Sequence, residues 1–291
     1  MTIRQALAEG NCALKTGGIE NPALDASLFL AKVLGTERTS LYTNACRTLC
    51  ETELASFRSL LERRLKGECA AYILGKKEFR ALEFLVNQSV LVPRPDTEIL
   101  VEVALEKLAA GKGRKALDLC TGSGAIAVSL KHEMPELEVW AADICPEALQ
   151  TAKANAACLL GEGSIYFFHG DLYKALPASL CPFRHQFHLI VSNPPYIASE
   201  KLKNLPIEVQ KEPRIALDGG KDGLFIIKNI IAEAKYHLYP QGTLLLEADP
   251  WQMKKISALL EQNGFFDIKI FNDLSGRQRV IAGTTVGEKQ L

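Results

Sequence analysis

The 291-residue sequence lacks several features that mark specialised classes of protein. Its eight cysteines form no Cys-x-x-Cys pair and no zinc-like doublet, so neither a disulfide framework nor a zinc site is predicted. No apolar run approaches transmembrane length, and the opening Met-Thr-Ile-Arg-Gln lacks the apolar core of a signal peptide. We therefore expect a cytoplasmic protein whose cysteines behave as small hydrophobic side chains.

The sequence also lacks an excess of charge of either sign. Lys and Arg total 34 and Asp and Glu total 34, so no global field would attract nucleic acid or an anionic membrane. His185 and His188 are spaced like a metal pair, but no carboxylate or thiolate set lies near them in the sequence, and no metal is predicted.

The first part of the chain has helical periodicity and no motif that carries chemistry. Pro22 and Gly35 are placed to begin and end one helix, and Thr48 with Glu51 has the spacing of a capping box for another, which Gly67 would end. We predict an N-terminal helical domain over residues 1–76. A β-hairpin linker over residues 77–93 is predicted to turn at Asn87-Gln88, and Asp96 is expected to cap the next helix.

Residues 94–291 alternate strands and helices, which is typical of a doubly wound α/β sheet. Strands are predicted at 116–119, 138–142, 165–168, 189–192, 243–247, 267–271 and 279–282. Helices are predicted near 96–110, 124–133, 146–157, 223–238 and 250–263. The last two strands have no helix between them, so they should form an antiparallel hairpin, giving a seven-stranded sheet with one reversed strand.

A nucleoside site is predicted at the ends of the first three strands of this domain. The loop Asp118-Leu119-Cys120-Thr121-Gly122-Ser123-Gly124 turns from a strand into a helix, and its glycines allow a ligand to approach the backbone. Asp143 follows the second strand, where a carboxylate typically accepts ribose hydroxyls, and Asp171 follows the third, where it could reach an adenine amine.

The same loop also fits the dinucleotide fingerprint G-x-G-x-x-A, so a hydride-transfer enzyme is an alternative. Asp118 would repel a pyrophosphate but suit a cationic amino-acid group. No catalytic His or Tyr-Lys pair follows the later strands. S-adenosylmethionine is therefore the preferred ligand, and its sulfonium methyl group is already activated without a metal.

The acceptor site is predicted at Asn193-Pro194-Pro195-Tyr196, directly after the strand at 189–192. The prolines stiffen the backbone and leave carbonyl oxygens available, and Asn193 adds a side-chain acceptor. Rigid acceptors of this kind suit a planar NH₂ group, whose nitrogen is a poor nucleophile until both N–H bonds are held. The remaining possibility is a Pro-Pro breaker that only ends the strand.

These motifs together resemble the HemK/PrmC family of peptide chain release factor glutamine methyltransferases. The matching segments, in family order, lie at residues 24–26, 67–75, 93–98, 118–124, 193–196, 212–223 and 273–277. The resemblance covers about residues 4 to 283. It implies a class I S-adenosylmethionine-dependent, Rossmann-like fold, and methylation of the glutamine in the Gly-Gly-Gln loop of release factors.

The resemblance also implies roles for individual residues. S-adenosylmethionine would be bound by Asp118, Cys120, Thr121, Gly122, Ser123, Gly124, Asp143, Asp171, Leu172 and Asn193. The catalytic residues would be Asn193, Pro194 and Tyr196, and the glutamine would lie against Asn193, Pro194, Pro195 and Tyr196. The N-terminal domain would dock the release factor. Residues 93–98 are interpreted either as a segment that covers the cofactor, with Arg94 near the site, or as a stiff elbow between the domains. Residues 212–214 either cover the acceptor pocket, which is the preferred interpretation, or form a solvated loop.

Three positions depart from the family pattern. Cys120 replaces a usual glycine, a change that a small side chain should tolerate, and Cys69 replaces a proline. Glu247-Ala248-Asp249 replaces a more usual Glu-His-Gly, a change that could alter the loop near the site although it touches none of the residues assigned to chemistry. An amino-methyltransferase for nucleic-acid bases would share the Asn-Pro-Pro-Tyr chemistry, and a non-catalytic adaptor would share the fold. The neutral charge argues against the first, and the intact tetrapeptide argues against the second.

Overall fold

The computed structural model describes residues 1–111, 114–177 and 186–286. These residues fall into two compact units, one comprising residues 1–76 and 206–211 and the other the remaining described residues. Among the described residues, no helix is both long enough and apolar enough to cross a membrane.

The first unit is helical. Its helices are α1 (Ile3–Thr16), α2 (Pro22–Leu34), α3 (Arg38–Thr43), α4 (Glu51–Leu65), α5 (Ala70–Leu74) and the short α9 (Ile207–Gln210), which comes from later in the chain. Its core is aliphatic and aromatic, with Phe29 and Leu30 fully buried. A buried ion pair joins two of these helices, since Arg64 Nε donates to Asp25 Oδ2 at 2.7 Å.

The start and end of α2 at Pro22 and Gly35 are confirmed, and Gly35 takes the left-handed conformation typical of a helix terminus. The capping box predicted at Thr48 and Glu51 is wrong by two residues. Helix α4 begins at Glu51 because Cys50 is its N-cap, and the Glu53 carboxylate accepts the Cys50 N–H at 2.9 Å.

The second unit opens with the hairpin of β1 (Lys76–Phe79) and β2 (Leu82–Leu85). The predicted turn at Asn87-Gln88 is wrong. The chain reverses at Arg80-Ala81, where φ is +49° and +58°, as in the two-residue turns that match the twist of a hairpin. The sequence of this turn contains neither Asn nor Gly, the two residues from which such turns are usually predicted. Asn87 instead forms a local turn by accepting the Ser89 N–H at 2.9 Å.

A seven-stranded sheet fills this unit, with the strand order β5-β4-β3-β6-β7-β9-β8. Its strands are β3 (Lys115–Leu119), β4 (Glu138–Asp143), β5 (Tyr166–His169), β6 (Phe187–Ser192), β7 (Leu238–Glu247), β8 (Phe265–Asn272) and β9 (Gln278–Thr285). Only β9 pairs antiparallel with both of its neighbours. The predicted sheet with one reversed strand is confirmed.

Helices cover both faces of the sheet. On one face lie α6 (Glu98–Gly111), α7 (Ala125–Glu133) and α8 (Pro146–Leu160), and on the other lie α10 (Phe225–His237) and α11 (Met253–Gln262). Each face has its own apolar core, so the central strands are buried on both sides, as is usual for a parallel sheet.

Asp96 does not cap α6. It lies in a short 3-10 helix, Pro95–Thr97, and its carboxylate accepts from Arg279 Nη2 on β9 at 3.0 Å. A long-range ion pair therefore replaces the predicted local cap.

Candidate active site

A cavity of about 170 Å³ lies at the carboxyl ends of β3, β4, β5 and β6. Strand addition changes direction between β3 and β6, and open α/β sheets bind ligands at such a switch point. Nine of the predicted site residues line the cavity: Cys120, Thr121, Gly122, Ser123, Asp143, Asp171, Leu172, Asn193 and Pro195. Four others, Asp118, Gly124, Pro194 and Tyr196, do not line it.

Asp118 and Gly124 shape the glycine loop from beneath the cavity. Asp118 is fully buried, and its Oδ2 accepts the Thr121 hydroxyl at 2.6 Å and the Ala127 N–H at 3.2 Å. At Gly124 a Cβ atom would lie 3.1 Å from the Cβ of Ala152, so glycine lets α8 approach the loop closely.

The electrostatics of Asp118 are those of a buried and partly satisfied carboxyl group. Burial raises the pKa of Asp118 to about 7, and the bonds from Thr121 and Ala127 offset part of that effect. Its Oδ1 has no hydrogen-bond partner among the described residues, so one acceptor beneath the glycine loop is left unsatisfied.

Asp143 is fixed on the cavity wall by two backbone donors. Its Oδ2 accepts the Gly122 N–H at 2.8 Å and its Oδ1 accepts the Cys145 N–H at 2.9 Å. Burial raises the pKa of Asp143, and these backbone bonds partly counter the increase. Each oxygen keeps a further lone pair for a ligand hydroxyl. Asp171 is more exposed and pairs with Lys174 at 3.0 Å.

Cys120 occupies a backbone conformation that suits glycine. Its φ is +59°, in the left-handed region, which L-residues reach at a cost of about 1–2 kcal/mol. The prediction that a small side chain is tolerated at this position rests on side-chain volume alone. The structure adds a backbone cost, so the departure from the family glycine is not neutral.

Asn193 and Thr97 both line the cavity. The side-chain nitrogen of Asn193 donates to the Thr97 hydroxyl at 3.1 Å. Tyr196 does not face the cavity, and its hydroxyl donates to Glu247 Oε1 at 3.3 Å. Burial raises the pKa of Glu247 to about 7, against smaller decreases from Thr97, Arg279 and Tyr196. Glu247 Oε2 has no hydrogen-bond partner among the described residues.

Glu247, at the end of β7, is the residue that sequence reasoning missed. Glu247 is the one residue of the segment 247–249 that does not depart from the family pattern, and it contacts Tyr196, a residue assigned to chemistry. The following turn contributes too, since Gln252 donates to the Tyr196 carbonyl at 2.9 Å. The available signal was a lone acid ending a buried strand, the same signal that singled out Asp143.

Two segments that were expected to cover the site are joined by a salt bridge between Arg94 and Glu212. Glu212 is buried, and its Oε2 also accepts the Val92 N–H at 3.1 Å. Arg94 lines the cavity, as do Ile215 and Ala216 just after Glu212. The predicted cover is therefore held by the salt bridge between Arg94 and Glu212, and Ile215 and Ala216 present apolar side chains to the cavity.

Across residues 1–111, 114–177 and 186–286, no group of three His, Cys, Asp or Glu side chains is arranged to hold a metal ion. His185 lies outside the described residues. His188 accepts the Arg114 N–H at Nδ1 at 3.4 Å and packs beside Tyr239.

The residues present fit an adenosyl ligand. Gly122 has φ +56°, and a Cβ atom there would meet nothing within 4 Å, so the loop leaves open space where a ligand can approach the backbone. Asp143 and Asp171 provide carboxylates at adjacent strand ends, and Ile144 and Leu172 provide apolar wall beside them.

Comparison with known proteins defines the family. A family model described as the PrmC N-terminal domain matches residues 5–75. A second model, described as the methyltransferase small domain, matches residues 95–210. The sequence is 38% identical to the release factor glutamine methyltransferase of Geobacter sulfurreducens, over 97% of this chain and 96% of that one. It is 39% identical to the protein of the same name from Vibrio cholerae, over 100% and 99%.

The chain belongs to the release factor glutamine methyltransferase family. The predicted HemK/PrmC resemblance is thereby confirmed, and the protein is a methyltransferase. A methyltransferase structure from Pyrococcus furiosus shares the fold, with a TM-score of 0.52 at 18% identity over 77% of this chain and 97% of that one. In this member of the family, the Asn-Pro-Pro-Tyr loop and the glycine loop meet at one sheet edge.

Proposed function

We propose that this protein transfers the methyl group of S-adenosylmethionine to the side-chain amide nitrogen of the glutamine in the Gly-Gly-Gln loop of peptide chain release factors. Family membership supports the reaction and the substrate class. The observation that carries the assignment is the position of Asn193, which lines the same cavity as Asp143 and the glycine loop.

The cofactor would be held by the residues around that cavity. Asp143 would accept the ribose hydroxyls, Asp171 and Leu172 would flank the adenine, and the loop from Cys120 to Gly124 would lie against the amino-acid part. Asp118, whose Oδ1 is unpaired, would favour the nearby cationic end. S-adenosylmethionine supplies a methyl group already activated by its sulfonium sulfur.

The glutamine amide would be held by acceptors of the tetrapeptide. Among the described residues, none donates a hydrogen bond to Asn193 Oδ1 or to the Pro194 carbonyl. Both oxygens therefore remain able to accept the two N–H bonds of an amide. These bonds should strengthen as the nitrogen gains positive charge, which lowers the barrier without a strong general base. Pro195, which lines the cavity, would bound the acceptor position. Tyr196, whose hydroxyl donates to Glu247, would support the tetrapeptide from outside the cavity.

We also propose the domain roles and the location. Residues 1–76 would form a domain that docks the release factor, 77–93 a linker, and 94–291 the methyltransferase domain. The protein would act in the cytoplasm, in translation termination, with neither a membrane nor a nucleic acid as partner.

The test is to incubate the protein with labelled S-adenosylmethionine and a release factor, and in parallel with bulk DNA and RNA. We expect the label on the glutamine of the Gly-Gly-Gln loop, located by mass spectrometry of the digested factor. A release factor with that glutamine changed to asparagine serves as the control and should stay unlabelled. Label in nucleic acid and none in the release factor would reverse the assignment.

Replacing the acceptor side chain gives the first mutational prediction. We expect Asn193→Ala to reduce kcat at least 100-fold while S-adenosylmethionine affinity, measured by calorimetry, changes less than about 5-fold. The reason is that the alanine removes an acceptor that matters mainly in the transition state. Turnover at the wild-type rate would remove Asn193 from the mechanism.

A further inference from the structure

Arg94 is the only lysine or arginine among the described residues that line the cavity. The charged side chains that share this lining with it are the carboxylates of Asp143 and Asp171. S-adenosylmethionine carries an α-carboxylate on its amino-acid part, and a carboxylate removed from water needs a cation or N–H donors. The cavity therefore offers this group one cationic partner.

The backbone of the glycine loop has few N–H groups left for that carboxylate. The Thr121 N–H donates to the Ala142 carbonyl at 3.1 Å, and the Gly124 N–H donates to the Thr121 carbonyl at 2.8 Å. The Gly122 N–H donates to Asp143 Oδ2 at 2.8 Å. Because these three N–H groups already have acceptors within the protein, the loop is a poor site for an anion by itself.

Two hydrogen bonds connect Arg94 to the methyl-transfer end of the cavity. The Arg94 carbonyl accepts the Thr97 N–H at 3.0 Å, and the Thr97 hydroxyl accepts from the Asn193 side-chain nitrogen at 3.1 Å. Asn193 is the residue assigned to the acceptor amide. The methyl group and the amino-acid chain of S-adenosylmethionine are attached to the same sulfur atom, so a side chain at this end can reach the amino-acid part.

Glu212 holds the Arg94 guanidinium in place. Glu212 is 4% exposed, its Oε1 accepts from Arg94 Nη2, and its Oε2 accepts the Val92 N–H at 3.1 Å. A guanidinium has five N–H donors in a planar fork, so this salt bridge leaves donors for a second carboxylate. Because Glu212 balances its charge, Arg94 can bind that carboxylate without adding a net positive charge beside the sulfonium.

We propose that Arg94 binds the α-carboxylate of S-adenosylmethionine and that Glu212 is the residue that positions it. This inference rests on the proposed function, because it names a ligand contact for the cofactor of that reaction. Arg94 is then a cofactor-binding residue and not only part of a cover. The pair also links cofactor binding to the cover, since Ile215 and Ala216 follow Glu212 and line the cavity.

The test compares two ligands that differ only in this carboxylate. S-adenosylhomocysteine carries it, and S-adenosyl-3-thiopropylamine has a hydrogen atom in its place. We expect the wild type to bind S-adenosylhomocysteine more tightly than the decarboxylated ligand by about 10-fold or more, measured by calorimetry.

Arg94→Met removes the charge and keeps an unbranched side chain. It should weaken the binding of S-adenosylhomocysteine by about 10-fold or more and that of the decarboxylated ligand by less than about 3-fold. Arg94→Lys can still pair with Glu212 but loses the planar fork. It should weaken S-adenosylhomocysteine binding by about 3-fold or more and leave the decarboxylated ligand within about 2-fold of the wild type. Arg94→Lys decides the question if Arg94→Met does not fold.

Arg80→Met is the matched control. Arg80 also pairs with a glutamate, Glu133, at 3.3 Å, but it does not line the cavity. Arg80→Met should change the affinity for either ligand by less than about 2-fold.

Equal losses of affinity for the two ligands in Arg94→Met would overturn the proposal, because Arg94 would then act only by holding the cover. So would an unchanged affinity for S-adenosylhomocysteine. These affinities do not depend on methyl transfer. If the wild type binds both ligands but methylates no release factor, the proposed function fails, and the ratio of the two affinities still decides the inference. If the wild type binds neither ligand, both fail.

Discussion

At the scale of single residues, Gly223 shows why the Asn-Pro-Pro-Tyr loop can take its shape. The glycine lies against the backbone of that loop, and a Cβ atom there would be 2.3 Å from the Tyr196 carbonyl oxygen and 2.7 Å from Gln252 Nε2. Gly219 is similarly close, with its Cβ position 2.7 Å from the Pro195 carbonyl oxygen. These glycines are needed because two backbones touch.

This contact yields a prediction with a matched control. Gly223 and Gly264 both have positive φ, +68° and +84°, but nothing lies within 4 Å of the Cβ position at Gly264. We expect Gly264→Ala to cost about 1 kcal/mol of unfolding free energy from backbone strain alone. Gly223→Ala should cost about 3 kcal/mol or more, because the loop must also shift.

Urea unfolding of the two glycine variants and the wild type measures the difference. Gly223→Ala should also reduce methyl transfer, since it displaces Tyr196, whereas Gly264→Ala should not. Equal destabilisation by the two substitutions would mean that the contact between Gly223 and the Tyr196 backbone does not contribute to the free energy of unfolding.

At the scale of elements, Asn155 joins three parts of the methyltransferase unit. From α8 it accepts the Leu85 N–H at 2.7 Å and donates to the Leu85 carbonyl at 3.0 Å, so it pairs with the end of β2 as a neighbouring strand would. The same side chain donates to the Ser123 carbonyl in the glycine loop at 2.8 Å. The hairpin, the helix and the loop thus depend on one buried amide.

Removing that amide should loosen all three elements together. We expect Asn155→Ala to lower the unfolding free energy by about 2–4 kcal/mol, because it leaves the buried Ser123 carbonyl and two partly buried backbone groups of Leu85 unpaired. Affinity for S-adenosylmethionine should also fall, since the glycine loop loses a support. Lys153→Ala, an exposed position on the same helix, serves as the control and should change stability by less than about 0.5 kcal/mol. Calorimetry and thermal unfolding would test both, and unaltered stability in Asn155→Ala would contradict this role.

At the scale of the whole molecule, burying carboxyl groups beside the site makes stability depend on pH. Burial raises the pKa of both Asp118 and Glu247 to about 7. A carboxyl group whose pKa is higher in the folded state binds its proton more tightly there. Its contribution to stability is therefore fully present below the pKa of the unfolded chain and is lost as pH rises toward 7 and beyond.

We predict that Asp118→Asn removes one such contribution. Relative to the wild type, the variant should gain about 2 kcal/mol in unfolding free energy between pH 5 and pH 7.5, measured by denaturant titration at each pH. The comparison with the wild type is needed because burial lowers the pKa of His188 and His237, which gives an opposite slope. A difference between variant and wild type that does not change with pH would show that Asp118 titrates normally.

Much of this protein could be predicted from the order of residue types along the chain. Runs of apolar residues indicate buried strands. The polar residues at the ends of these strands, such as Asp143 and Asn193, must lie close together because parallel strands end at one edge of a sheet. Local rules of this kind located the seven strands and the reversed strand, and they pointed to the glycine loop and to Asn193, which line one cavity.

Two of the predictions that failed depended on partners distant in the chain. The turn at Arg80-Ala81 has no local signal and is held in place by contacts such as the bond from the Arg80 N–H to Glu98 Oε1 at 3.2 Å. Asp96 looks like a helix cap but pairs with Arg279. In each position a long-range interaction outweighed a weak local preference.

The same limit applies to the site itself. The sequence by itself determined which chemical groups are present and at which strand ends they stand. Only the tertiary structure decided that Asn193 bonds to Thr97, that Tyr196 bonds to Glu247, and that Cys120 takes a left-handed conformation. The physical reason is that hydrogen-bond direction and backbone strain belong to groups brought together by packing, and residue order does not encode those distances directly.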